Sequence, residues 1–351
     1  MGSKPLPSTQ QRLSSVHSTS PQTPPATAYF DSQTQTWVIS RFADVQAALL
    51  EPGLCPVGSN RRHRVTAKDR DDQGRIRGET LDALTPDKLV QWESSSASQA
   101  VRIVSGLPTT RPIEVVEEFA RPWTLTVAVQ VTGAKEEDIE HLARLAAQVS
   151  ASTANPDDLT LKEGAKKSGE ELDLALKEGP LPMAGPAFVG LSQTLPCLLA
   201  NVWHVLLEHP QEFERLHDSP ELIPRALEEL LRVAGFVNEL HRQAIEDAVV
   251  NGIAINAGER LRLLVGAAHR DGQQFTSPEE LDVTRRNVRH FTFGAGPHSC
   301  AAAPLLRMLL AVATRCLVAH FTTTESPAPV NWFGGSVFRW PAPLYAVRRR
   351  N

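Results

Sequence analysis

The sequence predicts a mainly α fold with a minor β component, built as one domain behind a polar tail. Three observations carry this. Apolar residues recur at helical spacing across 110–150, 187–208 and 220–233, and again over about 301–321. Strand-like runs are short and few. Composition shifts sharply near Tyr29. Residues 1–27 are rich in Ser, Thr, Pro and Gln, as in Ser18-Thr19-Ser20-Pro21-Gln22-Thr23-Pro24-Pro25. Such a segment buries too little apolar area to offset its ordering entropy, so it reads as a flexible tail. Residues 28–351 form the domain. With 351 residues and 41% hydrophobic content the chain has enough material for a large core.

The elements follow in order. Trp37-Val38-Ile39-Ser40 reads as a short strand, and Arg41 to Leu50 as an amphipathic helix stopped by Pro52-Gly53. Residues 56–76 are polar and basic and read as a loop. The helical segments named above follow. The stretch 155–186 is rich in Pro, Gly and charge, and offers one short helical piece near 169–177. Strands are expected at 248–256 and 260–265, a turn-rich meander at 269–292, and strand-like pieces after the last long helix.

Bulk properties exclude several function classes. A net charge of −4 gives no reason to expect nucleic acid as a partner. No run of eighteen apolar residues predicts a membrane span, and the N-terminus lacks the apolar core of a secretory signal. Cys55, Cys197, Cys300 and Cys316 are scattered with no CxxC pair. This argues against a disulfide framework or a four-cysteine zinc site, and fits a reducing cytoplasm.

The densest signal is Phe293-Gly294-Ala295-Gly296-Pro297-His298-Ser299-Cys300, running into a helix that starts Ala301-Ala302-Ala303-Pro304. A cysteine just before a helix receives backbone N–H groups and the positive helix end, both favouring thiolate. The glycines let backbone pass close to a flat ligand, and Pro304 sits where a missing N–H costs little. A plain glycine turn before a core helix is the simplest alternative. A dinucleotide-binding GxG is another, but the third glycine and a βαβ unit are absent.

The spacing FGxGxHxC resembles the cysteine-ligand loop of the cytochrome P450 family. Glu229-Leu230-Leu231-Arg232 is similar to the family's ExxR motif, with both side chains on one helix face. In the family a meander arginine joins that pair, and Arg285 is the matching residue. Arg242-Gln243-Ala244-Ile245-Glu246-Asp247, Ile255-Asn256-Ala257-Gly258-Glu259 and Ala267-Ala268-His269-Arg270-Asp271 extend the resemblance, with His269 where asparagine is usual. The match is near-continuous over about 187–310 and patchy over 29–150. It implies a cytochrome P450-like fold that lacks part of the helices between about 150 and 187, hence a reduced roof and a more open distal face.

The resemblance implies haem b as cofactor, with Cys300 as the iron ligand. Phe293, Gly294 and Ala302 would line the haem, Ala302 standing where glycine is normal. Arg242 and His298 occupy positions that hold the propionates. Arg77 matches a third, in a segment where Gln73 replaces the family's histidine. On the helix 187–208, Gly190-Leu191-Ser192-Gln193-Thr194 aligns with the AGx(D/E)T pattern. Thr194 matches the alcohol that supports proton delivery, and Gln193 replaces the acid. A register shifted by one residue would instead use Ser192 and Gln193. A threonine hydroxyl bonded to its own helix is the structural alternative for Thr194. Residues 186–194 and 234–239, including Phe236, Val237 and Asn238, would line the distal pocket.

The function the resemblance implies is a monooxygenase acting on a small to medium organic substrate of secondary metabolism, free or carrier-bound. With no flavin or nicotinamide domain in the chain, electrons come from a separate ferredoxin and reductase. Arg285, Arg286, Arg289, His290 and Arg307 would form a positive docking patch on the cysteine side. Two alternatives stay open. One is a P450-like enzyme with altered chemistry, such as peroxide use, coupling, dehydration or rearrangement; the arginine of peroxide-using members is not seen around 190–197. The other is a non-catalytic haem-binding accessory protein.

Overall fold

The structure is a computed structural model that describes residues 28–57 and 67–349, the side chains of 67–73 excepted. The expected tail 1–27 lies outside the described residues. Helices come in chain order as α1 (Phe42–Leu50), α2 (Ala67–Ala83), α3 (Pro86–Ser105), α4 (Arg121–Thr132), α5 (Ile139–Ala154), α6 (Leu159–Ala175), α7 (Ala184–Val189), α8 (Leu195–Leu207), α9 (Pro210–Asp218), α10 (Ile223–Ala234), α11 (Val265–Ala268) and α12 (Ala303–His320). The main sheet has five strands: β1 (Tyr29–Asp31), β2 (Thr36–Ile39), β3 (Leu54–Pro56), β5 (Leu240–Ala244) and β8 (Arg260–Leu263), with β4 (Ile113–Glu114), β6 (Ala248–Val250) and β7 (Ile253–Ile255) elsewhere. Its order is β1-β2-β8-β5-β3, and only β2 and β8 run parallel. Strand β5 lies between β8 and β3, so Arg242 pairs with Leu261 on one side and Pro56 on the other. The β6–β7 hairpin turns on Asn251 and Gly252, both at positive φ, as a tight two-residue turn requires.

The core gathers around α8. Every residue from Leu195 to Trp203 is buried, so this helix is apolar all round. Phe119 stacks on Trp203, ring centroids 5.5 Å apart, and lies near Trp123 and Phe321. Helix α12 is long and apolar enough to cross a membrane by length and composition, but it carries Arg307 and Arg315, and 61% of it is buried in the fold.

Three expectations are corrected. Residues 67–76 are helical, not loop. Nine of the seventeen residues of α2 are charged, so it has no apolar stripe to give it away. It is held instead by the Arg75–Glu79 ion pair and by Arg77, which reaches the cysteine loop. Helix α3 was missed among its serines. Its buried stripe of Trp92, Ser96, Ala100 and Val104 repeats every four residues, and Thr85 caps it. Helix α6 runs Leu159–Ala175, far longer than the expected piece 169–177. Asp158 caps it, and Glu163–Lys167 and Lys166–Glu170 pairs lace its outer face. Its glycines mark close packing rather than breaks, since Gly164 and Gly169 lie against Gln148 and Val149 of α5. It is the only helix between α5 and α7 among the described residues.

The meander has no regular elements, so its carbonyls need partners from elsewhere. They find them at Glu229 and Arg232 on α10, both fully buried. Arg232 forks onto Glu229 with contacts of 2.7 and 2.8 Å, and donates to the carbonyls of His269, Pro278 and Glu280. Arg285 also donates to Glu229, at 2.9 Å, as expected. The guanidinium of Arg232 lies over the Phe275 ring, 4.8 Å from its centroid.

Replacing Arg232 by Met leaves the Glu229 carboxylate buried with one cation and strands three carbonyls. Breaking a buried pair from one side costs about 3–5 kcal/mol. The variant is expected to lose most of its denaturant stability, read from the chemical denaturation midpoint. An unchanged midpoint would remove the pair from its central role.

Candidate active site

The loop 293–300 is a tight, backbone-determined structure. Gly294 and Gly296 sit at φ +67° and +66°, conformations that L side chains rarely adopt. A Cβ on Gly296 would also meet the Leu49 carbonyl at 2.6 Å, so the loop packs directly on the end of α1. The Cys300 amide donates to the Phe293 carbonyl at 2.8 Å, which folds the loop back under the cysteine. Ala302 precedes α12 at φ −83°, a backbone any residue adopts, so alanine replaces glycine there without strain.

Amides of Ala302 and Ala303 point at the Cys300 sulfur, and Arg77 and Arg307 lie nearby. Burial nevertheless outweighs them and raises the thiol above its ordinary value. The helix start by itself therefore does not produce the expected thiolate. A coordinated metal would, by displacing the proton.

The cofactor-binding expectations converge on one basic cluster. Arg242 is 4% exposed, and its Nη1 donates to the His241 carbonyl at 3.0 Å. Its Nε is buried with no hydrogen-bond partner. Burial lowers the Arg242 pKa to about 10, still well above neutrality, so the side chain is a buried cation. The His298 pKa is lowered by burial and by Arg242 and Arg77. No carboxylate among the described residues pairs with Arg77, Arg242 or His298. Such a cluster lacks two negative charges, and the propionates of a haem supply them. The donor set therefore fits haem. Arg77 differs from its expected role in one respect: its fork is engaged with Ser299, through the Ser299 carbonyl and, at 2.8 Å, its hydroxyl. Gln73 lies in the part of α2 whose side chains are outside the description.

The opposite wall comes from α7 and α8. They join through a five-residue π-turn, Gly190–Thr194, closed by the Leu195 amide on the Gly190 carbonyl. Pro196 accounts for the irregularity, since it has no amide for the Ser192 carbonyl and its ring crowds that oxygen. That proline was the overlooked sequence signal. The Ser192 hydroxyl is spent on the Phe188 carbonyl at 2.7 Å, whereas no hydrogen bond occupies the Thr194 hydroxyl among the described residues. This favours Thr194 over the shifted register. Gln193 makes only a 3.4 Å contact, to Ser192. A Cβ on Gly190 would meet nothing within 4 Å, so this turn borders open space. Phe236 stacks on Phe338 with centroids 4.9 Å apart, and Asn238 pairs with the Val337 carbonyl. Phe338 and Val337 escaped the sequence reading because only the tertiary fold brings them to 236–238.

The expected positive patch is largely neutralised. Arg285 is bound to Glu229, while Arg307 and His290 bind Glu228 at 2.7 and 3.0 Å. Burial pushes the Glu228 carboxyl up, but the His290 and Arg307 hydrogen bonds overcome it and hold the pKa at about 2. Only Arg286 and Arg289 remain as exposed members of the five.

Arg242→Met should leave the haem-free protein as stable or more so, because an uncompensated buried cation is removed. Haem retention should fall about 10- to 150-fold, the worth of about 1.5–3 kcal/mol for a hydrogen bond to a charged group. Haem transfer to an acceptor globin and apoprotein melting measure the two effects separately.

Comparisons with known proteins agree with this geometry. The cytochrome P450 family model matches residues 214–346. Nocardicin C N-oxygenase of Nocardia uniformis subsp. tsuyamanensis is 28% identical, with 88% of each chain covered. Mycinamicin IV hydroxylase/epoxidase of Micromonospora griseorubida is 26% identical, with 89% of each covered. Among solved structures, CalO2 superposes with a TM-score of 0.77 at 21% identity, covering 92% of each chain. P450BioI in complex with hexadec-9Z-enoic acid ligated acyl carrier protein gives 0.77 at 23% identity, covering 92% of this chain and 94% of that one. The cysteine loop, the buried Glu229–Arg232 pair and these matches together identify residues 214–346 as a cytochrome P450 segment, in a chain similar along most of its length to bacterial P450 oxidoreductases.

Proposed function

We propose that this chain is a cytoplasmic haem-thiolate monooxygenase that oxidises a small to medium organic substrate of secondary metabolism, with electrons from a separate ferredoxin and reductase. The observation that carries the reading is the presence of Cys300 at the head of α12 together with the buried cation Arg242, whose Nε has no partner among the described residues, and the neighbouring His298. Cys300 would bind the iron, and Arg242 and His298, with Arg77, would hold the propionates. Bound haem supplies oxygen activation, with the thiolate pushing electron density that favours O–O cleavage.

This chain's own residues would do the rest. Thr194, at the end of the π-turn with its hydroxyl uncommitted, would hold and pass a proton on the distal side. Gln193 would orient water, but an amide cannot deliver a proton as a carboxylic acid does. Gly190 leaves room for substrate, and Phe236 with Phe338 would close an apolar wall. The relatives' names, nocardicin C and mycinamicin IV, support a natural-product substrate. The single helix between α5 and α7 supports one of some bulk, free or carrier-bound. With Arg285, His290 and Arg307 engaged internally, the ferredoxin contact would rest on Arg286 and Arg289 rather than on all five cations.

Gln193 also favours a second reading, an enzyme driven by peroxide, which brings its own protons and electrons. Turnover with ferredoxin and reductase against turnover with peroxide separates the two. Under the leading reading, Thr194→Ala should cut product formed per electron consumed about 100-fold or more in the reductase system, and Gln193→Glu should raise it. Equal product per electron in the Thr194→Ala variant would remove Thr194 from proton delivery. Product only with peroxide would favour the second reading.

A further inference from the structure

Two backbone amides just upstream of the cysteine loop donate to imidazole nitrogens. The Phe291 amide donates to His269 Nε2 at 2.7 Å, and the Thr292 amide to His290 Nδ1 at 3.2 Å. An amide can only donate, so the Nε2 of the buried His269 carries a lone pair and that ring is neutral in the fold. His269 is 1% exposed, and its carbonyl accepts from Arg232, the centre of the buried ion pair. Its remaining ring nitrogen, Nδ1, is buried without a partner. The Phe291 and Phe293 carbonyls then close the loop on Gly294 and Cys300. His269 thus stands between the α10 ion pair and the segment that carries the iron ligand.

We propose that His269 is a positioning residue for Cys300: as a neutral acceptor it anchors the Phe291 amide, and its protonation releases the cysteine loop and with it thiolate ligation. The inference rests on the haem-thiolate reading of the site. An imidazolium has no lone pair for the Phe291 amide and would strand that buried N–H. The surroundings oppose protonation. Burial comes first, followed by the charged or chargeable neighbours His290, Arg232 and Arg270, and together they hold the ring well below its ordinary value. The carboxylates around these neighbours are engaged with them, Glu229 by Arg232 and Arg285, Glu228 by His290 and Arg307, and Glu279 by Arg270, while the buried Asp271 pairs with Arg41.

The sign follows from linkage. A histidine held neutral in the fold binds its proton more readily once released, so the anchored loop is fully stable above the ordinary histidine range. That stability is lost as pH falls through about 6.5 toward the depressed folded value. Glu228, held at about 2, stays charged across this window and cannot produce the same acid limb.

The test uses holoenzyme and the Soret band of the reduced carbon monoxide complex, which distinguishes thiolate from thiol ligation, recorded against pH. His269→Gln places a non-titrating amide oxygen where Nε2 stands, and His269→Asn offers the shorter amide. The wild type should lose the thiolate band reversibly on the acid side. At least one amide variant should keep the band at neutral pH and lose the acid limb. An acid limb unchanged in those variants, or one abolished by His290→Gln alone, would overturn the assignment to His269. Should neither amide variant accumulate, the wild type decides: the band must vanish at higher pH than global unfolding read by tryptophan fluorescence, and coincident transitions would sink the proposal. A wild type with no thiolate band at neutral pH would instead strike at the haem reading itself.

Discussion

A carboxylate and a guanidinium with no water around them, Glu229 and Arg232, set the terms for the rest of this molecule. Taking both charges out of solvent is costly, and the cost is recovered only where geometry is good and the remaining donors are used. Here they are used on carbonyls of His269, Pro278 and Glu280, in a segment with no ladder or helix of its own to satisfy them. The meander is ordered because α10 supplies its hydrogen bonds. In return the meander, through His269 and the Phe291 amide, fixes where the cysteine loop begins.

From that point the site is assembled by backbone rather than by side-chain choice. Two left-handed glycines and the Cys300 amide on the Phe293 carbonyl aim the sulfur, and the contact of Gly296 with Leu49 sets the loop's height on α1. Charge is arranged on a different principle. Around Glu228 it is balanced internally, with His290 and Arg307 sharing one carboxylate. Around Arg242 it is left unbalanced among the described residues, which costs stability in the fold. Pro196 similarly spends a helix hydrogen bond to open the turn that presents Thr194.

Much of this was legible in the residues. The run from Phe293 to Cys300, the i, i+3 spacing of Glu229 and Arg232, and the uniformly apolar stretch around Leu195–Trp203 are local patterns, set by glycine conformation, helix pitch and hydrophobic burial. Each reads directly because its physics lies within a few residues. Helices α2, α3 and α6 were illegible or shortened because their buried stripes are narrow or polar, and their stability comes from capping, ion pairs and docking rather than from an apolar face.

The sequence by itself thus determined the helical class, the glycine-bounded cysteine loop, the buried pair and the basic residues that gather near it. Tertiary structure alone decided which of those cations are free. Arg307 and Arg285 look no different from Arg242 in the chain, yet two are neutralised by Glu228 and Glu229 and one is buried with no counter-charge among the described residues. It also decided that burial holds the Cys300 thiol above its ordinary value. Burial and long-range pairing set the state of a charge, and neither is encoded in the spacing of neighbouring residues.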